Sequence, residues 1–455
     1  MGYKTHVKRS SAAKSYKPRY PKGTKFYSIL SEYYDTFLDI YDSRFRKQYG
    51  YLRPVVSEAI GKYLDCGILS NGFARVRCAN CGEEYLVSFS CKMRYFCPSC
   101  HQKRVLILGE FLKECVLTPT AHRQIVFTIP KMLRIYFMYN RKLLGKLSQC
   151  GYAALKEAYQ HSLKNKDAFP GVVMSIQTFG DLVNFHPHLH AVATEGCFDR
   201  EGNFLSVPRI PSYVIQELFM HKVFKMLLKE GKITENTIRL ITSWRYSGFN
   251  VDNHVYIKSD DTDGLEGLVQ YITRAPLSQE KILLDKSGDK VIYRSKLNPS
   301  LKRNFQTFDP LEWIAAVTSH IPDKGQQMVR YYGYYSNKSR GQRKKEETEK
   351  ADISKNTGHE ALNIIEEPSH TPKEYRRLWA QLIQKVYEVD PLICTKCGGT
   401  MRIVSFIEEQ AVINKILTHL GIHEEHAHSP PEKNDQSVDV AYEPYYDDLP
   451  INEIL

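Results

Sequence analysis

No stretch of this 455-residue chain is apolar enough or long enough to span a bilayer. The basic residues at the N-terminus are followed by no apolar run, so no secretory leader is expected. These two absences predict a cytoplasmic protein without a membrane partner. No internal repeat of solenoid length is present, which excludes a stacked-repeat architecture. Acidic residues are missing from positions 1–25, which carry eight Lys/Arg, whereas positions 429–455 hold seven acids and one Lys. Both ends read as disordered, the first as a DNA-phosphate contact or a solubilising tail. Cysteines number 11, an odd count. In a reducing compartment they suit metal ligation or free thiols better than disulfides.

What is present suits two or three domains, since 42% of the residues are hydrophobic and can fill a substantial interior. The formal net charge of +12 attracts anions, with nucleic acid the first suspect. The expected order is a basic leader (1–25), a helical and zinc-binding domain (26–115) and a central domain (119–336). A polar linker (337–372), a C-terminal helix with a Cys-x-x-Cys module (373–428) and an acidic tail (429–455) follow. "HRQIVFTIP" and "GVVMSIQTF" have the β-branched residues and Pro or Gly ends of strands. "EGLVQYITRAP" reads as a short helix stopped by Pro276.

"CANCGEEYLVSFSCKMRYFCPSC" holds two Cys-x-x-Cys pairs, Cys78/Cys81 and Cys97/Cys100. Zinc takes four soft ligands in a tetrahedron, and each such turn offers two thiolates. The spacing predicts one structural Zn²⁺ bound by Cys78, Cys81, Cys97 and Cys100, with Cys91 and His101 as alternates. Basic neighbours such as Arg75, Arg77 and Arg104 suit DNA contact or an ordinary solvated face. "CTKCGG" supplies Cys394 and Cys397, half a site at most; His419, His423, His426 or His428 could complete it, or the turn could be metal-free.

"NFHPHLHAV" places His186, His188 and His190 at every second position. Strand side chains alternate between faces, so His188 and His190 share one and Leu189 and Ala191 the other. Two imidazoles on one face can hold a divalent ion. Pro187 donates no ladder bond, so the strand is expected to begin near His188 or to lie at an edge. Gln177, on the polar face of the preceding strand, is the candidate third ligand, with His254 its rival. Few protein ligands leave room for phosphate oxygens, which suits Mg²⁺ or Mn²⁺.

In "DGLEGLVQYITRAPLS", Leu265, Leu268, Val269 and Ile272 form one buried helix stripe. Tyr271 flanks that stripe and is the candidate nucleophile, with Arg274 as a phosphate contact. The bland alternative is a half-buried Tyr among the 30 in the chain. "RYYGYYSNKSRG" reads as a nucleic-acid contact, with Arg330, Tyr331 and Arg340 as DNA-binding candidates, rings for stacking and cations for phosphate.

Taken together, "FHPHLHA", "QYITRAPLS", "SCKMRYFCPSC", "VRYYGYYSNKSRG" and "DPLICTKCGGTMRIVSFI" resemble the rolling-circle HUH transposases of the insertion sequence 91 type. The resemblance implies an α/β (α+β) HUH-endonuclease domain with a central antiparallel sheet and helices packed mainly on one face. A small N-terminal zinc-binding domain and a small C-terminal module accompany it. It also implies Mg²⁺ or Mn²⁺ at His188 and His190, attack by Tyr271 on single-stranded DNA at element ends and target, and a 5′-phosphotyrosine link. Some members carry a second Tyr four residues earlier; here that position is Gly267, as in the single-tyrosine relatives. A second subunit, a 3′ hydroxyl or water would then complete the cycle. The expected place of action is the bacterial nucleoid. The rival readings are a replication initiator or relaxase with the same site, and a zinc-dependent DNA-binding regulator whose nuclease domain is inert.

Overall fold

The computed structural model describes residues 21–298, 302–355, 393–394 and 396–422. The leader up to residue 20, the expected linker from 356 on, the helix expected after it, and the acidic tail with His423, His426 and His428 lie outside the described residues.

Alternating apolar and polar residues build the central sheet. Its strands lie side by side in the order Val329–Gly333, Gly171–Phe179, Phe185–Thr194, His122–Thr128 and Asn250–Asp252, and each neighbour runs antiparallel. One face carries Val172, Met174, Ile176, Leu189, Ala191 and Ala193 into a core with the helices Lys142–Leu163 and Ser212–Lys229. Each such aliphatic side chain contributes about 1.5–3 kcal/mol on full burial. The opposite face also carries helices, so packing is not confined to one side. Val173 meets Leu108 and Leu112 of the helix Pro98–Cys115 and Val269 of the helix Thr262–Ile272. Val192 meets Leu268 and Ile272 of that second helix. Asp261 caps it by accepting from the Gly264 N–H at 2.8 Å.

Pro187 does not sit at an edge or outside the strand. The histidine strand begins at Phe185 and lies between two others. Pairing with the Gly171–Phe179 strand shifts register between Gln177 and Phe179, and pairing with His122–Thr128 ends at His188. The missing Pro N–H is therefore accommodated at an irregularity rather than in a regular ladder.

Two further packing relations cut across the expected boundaries. Phe26 of the N-terminal helix Lys25–Arg44 meets Trp313 of the helix Pro310–Thr318 edge-on, centroids 5.4 Å apart. The C-terminal strand Met401–Ile407 pairs antiparallel with Phe73–Cys78, whose other edge pairs with Glu84–Ser88. The C-terminal strand thus takes its ladder hydrogen bonds from the N-terminal sheet. The first part of the expected linker is a helix, Asn337–Lys355. Among the described residues no helix is long and apolar enough to cross a membrane.

Candidate active site and metal centres

Gln177 and His188 are direct partners across neighbouring strands, and Ser175 faces His190. Residues opposite one another share a face, so Gln177, His188 and His190 all project away from the helices Lys142–Leu163 and Ser212–Lys229, onto the face of the tyrosine helix. The Nε2 atoms of His188 and His190 lie 3.1 Å apart. His188 Nδ1 donates to the carbonyl of His186 at 2.7 Å, which leaves its Nε2 an acceptor facing His190 Nε2. His190 Nδ1 accepts from Gln124 Nε2 at 3.1 Å. Burial holds both rings neutral, His188 at about 4 and His190 at about 3, against the aid of the His186 carbonyl bond for the first and with added repulsion from His188 for the second.

Gln177 donates from Nε2 to the Ile272 carbonyl at 2.7 Å, while its Oε1 is buried without a hydrogen-bond partner. An unsatisfied buried amide oxygen is costly. Beside two neutral imidazoles it is the atom a cation would satisfy, so the residues present fit a divalent ion. His254 is not brought to this cluster; it is exposed and bonded to Asp252 at 2.6 Å.

Tyr271 stands on the same face. Its ring centroid is 5.6 Å from that of His190, at 86°. The residue is half exposed, at 45%. Arg274 lies with Cζ 4.4 Å from the Tyr271 ring centroid. The arrangement gathers a metal-competent pair, a phenol and a guanidinium at one place, which suits a phosphodiester.

The end of the tyrosine helix is held twice. Gln177 takes the Ile272 carbonyl, and His101 Nε2 donates to the Thr273 carbonyl at 2.9 Å. His101 Nδ1 accepts from the Tyr95 N–H at 3.1 Å, which fixes this tautomer. His101 is therefore not a metal ligand; its ring nitrogens are both engaged.

The two Cys-x-x-Cys pairs do not share one zinc. Cys97 and Cys100 join Cys66 and Cys91, whereas Cys78 and Cys81 join Cys394 and Cys397. The reason lies in the chain path. Cys78 ends a strand whose partner is the C-terminal strand, while Cys97 and Cys100 open a helix that packs on the tyrosine helix and the sheet. In the first cluster Cys66 and Cys91 Sγ lie 3.8 and 3.5 Å from Cys100 Sγ. A tetrahedron of thiolates around Zn²⁺ at 2.3 Å has edges of about 3.8 Å, so the spacing fits zinc. A sequence signal for the correct partition was present: "CANCG" and "CTKCG" both end in Gly, and "CPSCH" does not.

The tyrosine-rich segment is largely spent on internal packing rather than left for stacking on bases. Tyr335 is fully buried and shares a 2.8 Å hydrogen bond with His122 Nε2. Tyr332 stacks on Tyr152 at 4.7 Å, and Tyr334 on Phe198 at 3.6 Å. Arg330 pairs with Met174, which faces the helix side of the sheet, and its guanidinium lies against Gly145. It is not brought to the histidine face. Tyr331 is on that face but in a different place, beneath Arg340, whose Cζ is 5.5 Å from its ring centroid.

Comparison with known proteins points to transposases. Residues 36–129 match the family described as "Transposase zinc-binding domain", and residues 171–343 match "Putative transposase". The "Transposase for insertion sequence element IS801" of Pseudomonas savastanoi pv. phaseolicola is 24% identical over 371 residues, 77% of this chain and 84% of that protein. The "Putative transposase y4qJ" of Sinorhizobium fredii is 25% identical over 336 residues, 67% of this chain and 78% of that protein. No solved structure matches. Together the two family matches and the relatives support a transposase of the insertion sequence 91 family with its zinc-binding domain.

Proposed function

We propose that this transposase cuts and rejoins single-stranded DNA at element ends through a covalent link to Tyr271. The observation that carries the reading is the meeting of Tyr271, His188, His190 and Arg274 on one face of the sheet. The Tyr271 hydroxyl gives up its proton as its oxygen attacks phosphorus, the bond from phosphorus to the 3′ oxygen breaks, and the 3′ oxygen takes up a proton. The DNA 5′ phosphate stays esterified to Tyr271. The energy of the broken ester is kept, so a later 3′ hydroxyl reverses the step and rejoins the strand without a nucleotide cofactor. Arg274 offsets phosphate charge, and His188, His190 and Gln177 Oε1 would hold Mg²⁺ or Mn²⁺. When bound, the ion neutralises a non-bridging phosphate oxygen and makes phosphorus more electrophilic.

Gly267 stands one turn before Tyr271, so one subunit offers a single phenol at this helix. Exchange with the target strand then uses a free 3′ hydroxyl or the Tyr271 of a second copy in a homodimer. Incubating the chain with a labelled single-stranded element end and Mn²⁺ tests the reading. A DNA–protein adduct that survives denaturation and vanishes in Tyr271→Phe is expected. DNA binding without any adduct would overturn it in favour of a non-catalytic regulator.

A further inference from the structure

We infer that Cys78, Cys81, Cys394 and Cys397 form a second zinc site, separate from that of Cys66, Cys91, Cys97 and Cys100, and that its ion clasps the C-terminal strand to the N-terminal sheet. Cys78 Sγ lies 3.5 Å from Cys397 Sγ, and Cys81 Sγ lies 3.6 Å from Cys394 Sγ. Disulfide sulfurs would be about 2.05 Å apart. The observed spacing is close to the edge of about 3.8 Å of a tetrathiolate zinc site.

The two halves are built alike. Cys78 N–H donates to Glu83 O at 2.8 Å, and Cys394 N–H donates to Gly399 O at 2.7 Å. Gly82 and Gly398 N–H close the turns onto the carbonyls of Cys78 and Cys394. Both glycines have positive φ, 77° and 70°, a conformation most side chains resist. In each turn a backbone N–H also points at a sulfur: Asn80 at Cys78 and Gly399 at Cys397, both at 3.4 Å. Such donors stabilise thiolate rather than thiol. Two matched turns, each presenting two sulfurs, are what a soft tetrahedral ion requires.

Around the sulfurs the packing is slight, and the C-terminal segment's other apolar hold is a neighbouring patch of Phe73, Ile407, Ile413 and Leu417. The local core consists of Val76, Cys78, Cys394 and Met401, with Tyr85 and Val87 partly buried beside them. Half of its buried members are cysteines of the cluster. Free thiols would leave the cysteine end of the strand held by backbone bonds to one neighbour and few apolar contacts. A bound ion supplies the missing cohesion. Because its ligands come from both ends of the chain, residues 82–393, the transposase domain included, form a loop that the metal closes.

Metal counting and retention of the C-terminal piece test the clasp. The full chain as purified is expected to hold two Zn²⁺ per molecule, and the double variant Cys394→Ser/Cys397→Ser one. Two Co²⁺ per chain with tetrathiolate absorption after exchange is the expected result in the unmodified protein, and does not depend on any variant folding. With a sequence-specific protease site introduced between residues 355 and 393, the cleaved C-terminal piece should co-migrate with the rest in gel filtration. In the double variant it should separate. One zinc or one such Co²⁺ per unmodified chain, two zincs in the double variant, or a C-terminal piece that stays attached in that variant would each overturn the proposal.

Discussion

His101, the residue after a zinc-cluster cysteine, donates through Nε2 to the carbonyl of Thr273 at 2.9 Å, two positions beyond Tyr271. The zinc-binding domain therefore touches the tyrosine helix at its C-terminal end, where carbonyls lack helical partners. The domain thus has a part in placing the helix that carries Tyr271.

Replacing His101 should slow chemistry more than it weakens binding. His101→Ala leaves the buried Tyr95 N–H and Thr273 carbonyl without this partner, a loss of about 1–3 kcal/mol. Adduct formation in a single turnover should fall at least about tenfold, since that energy corresponds to one to two decades in rate. DNA affinity and zinc content should stay unchanged. A parallel fall in zinc content would mean that the residue serves the cluster rather than the helix.

Gln124 orients His190 through Nδ1 and should matter for the cation although it does not face it directly. To ligate through Nε2, His190 needs its proton on Nδ1, and the Gln124 amide can turn to accept it. Gln124→Leu removes that acceptor. Mn²⁺ affinity, measured by titration calorimetry, should drop about 10- to 100-fold. Tyr271→Phe should leave it unchanged, and equal losses in the two variants would refute the assignment.

Acid should destabilise the fold through His320 and His122. Burial holds His320 at about 3, helped by the nearby Arg141 and Arg53, and His122 at about 4. Both folded values lie below the reference of about 6.5. The unfolded chain thus binds more protons once the pH falls below that reference, and stability is lost from about pH 6.5 down toward 4 for His122 and 3 for His320. At pH 5 each group accounts for about 2 kcal/mol. Urea midpoints at pH 7 and pH 5 should differ less for His320→Gln than for the unmodified chain. An identical difference would sink the claim.

Gly267 is a dispensable glycine. It lies inside the tyrosine helix, and an added Cβ would meet nothing within 4 Å. Gly267→Ala should raise stability by about 0.5–1 kcal/mol through lost unfolded-state freedom and better helix propensity. Adduct yield should be unaffected. A loss of activity would show that this position needs more than open space.

Tyr335 separates a structural phenol from a reactive one. Its hydroxyl bonds His122 and Thr118 and is sealed from solvent. Tyr335→Phe should cost about 1–2 kcal/mol in a denaturant titration and leave the covalent adduct intact. Loss of the adduct with unaltered stability would reverse the two roles.

The sequence by itself determined the alternation that puts His188 and His190 on one face, the apolar stripe that makes 262–272 a helix, and the turns that present cysteines in pairs. These are local, because strand and helix periods and turn geometry act over a few residues. Only the tertiary structure decided which cysteine pairs meet, since strand pairing joined Cys78 to Cys394 and Cys397 from the far end of the chain. It also placed His101 against the end of the tyrosine helix and Gln124 against His190, and turned Arg330 away from the histidine face. A side chain's partners across hundreds of residues depend on how separate cores pack, and no single segment's pattern encodes that.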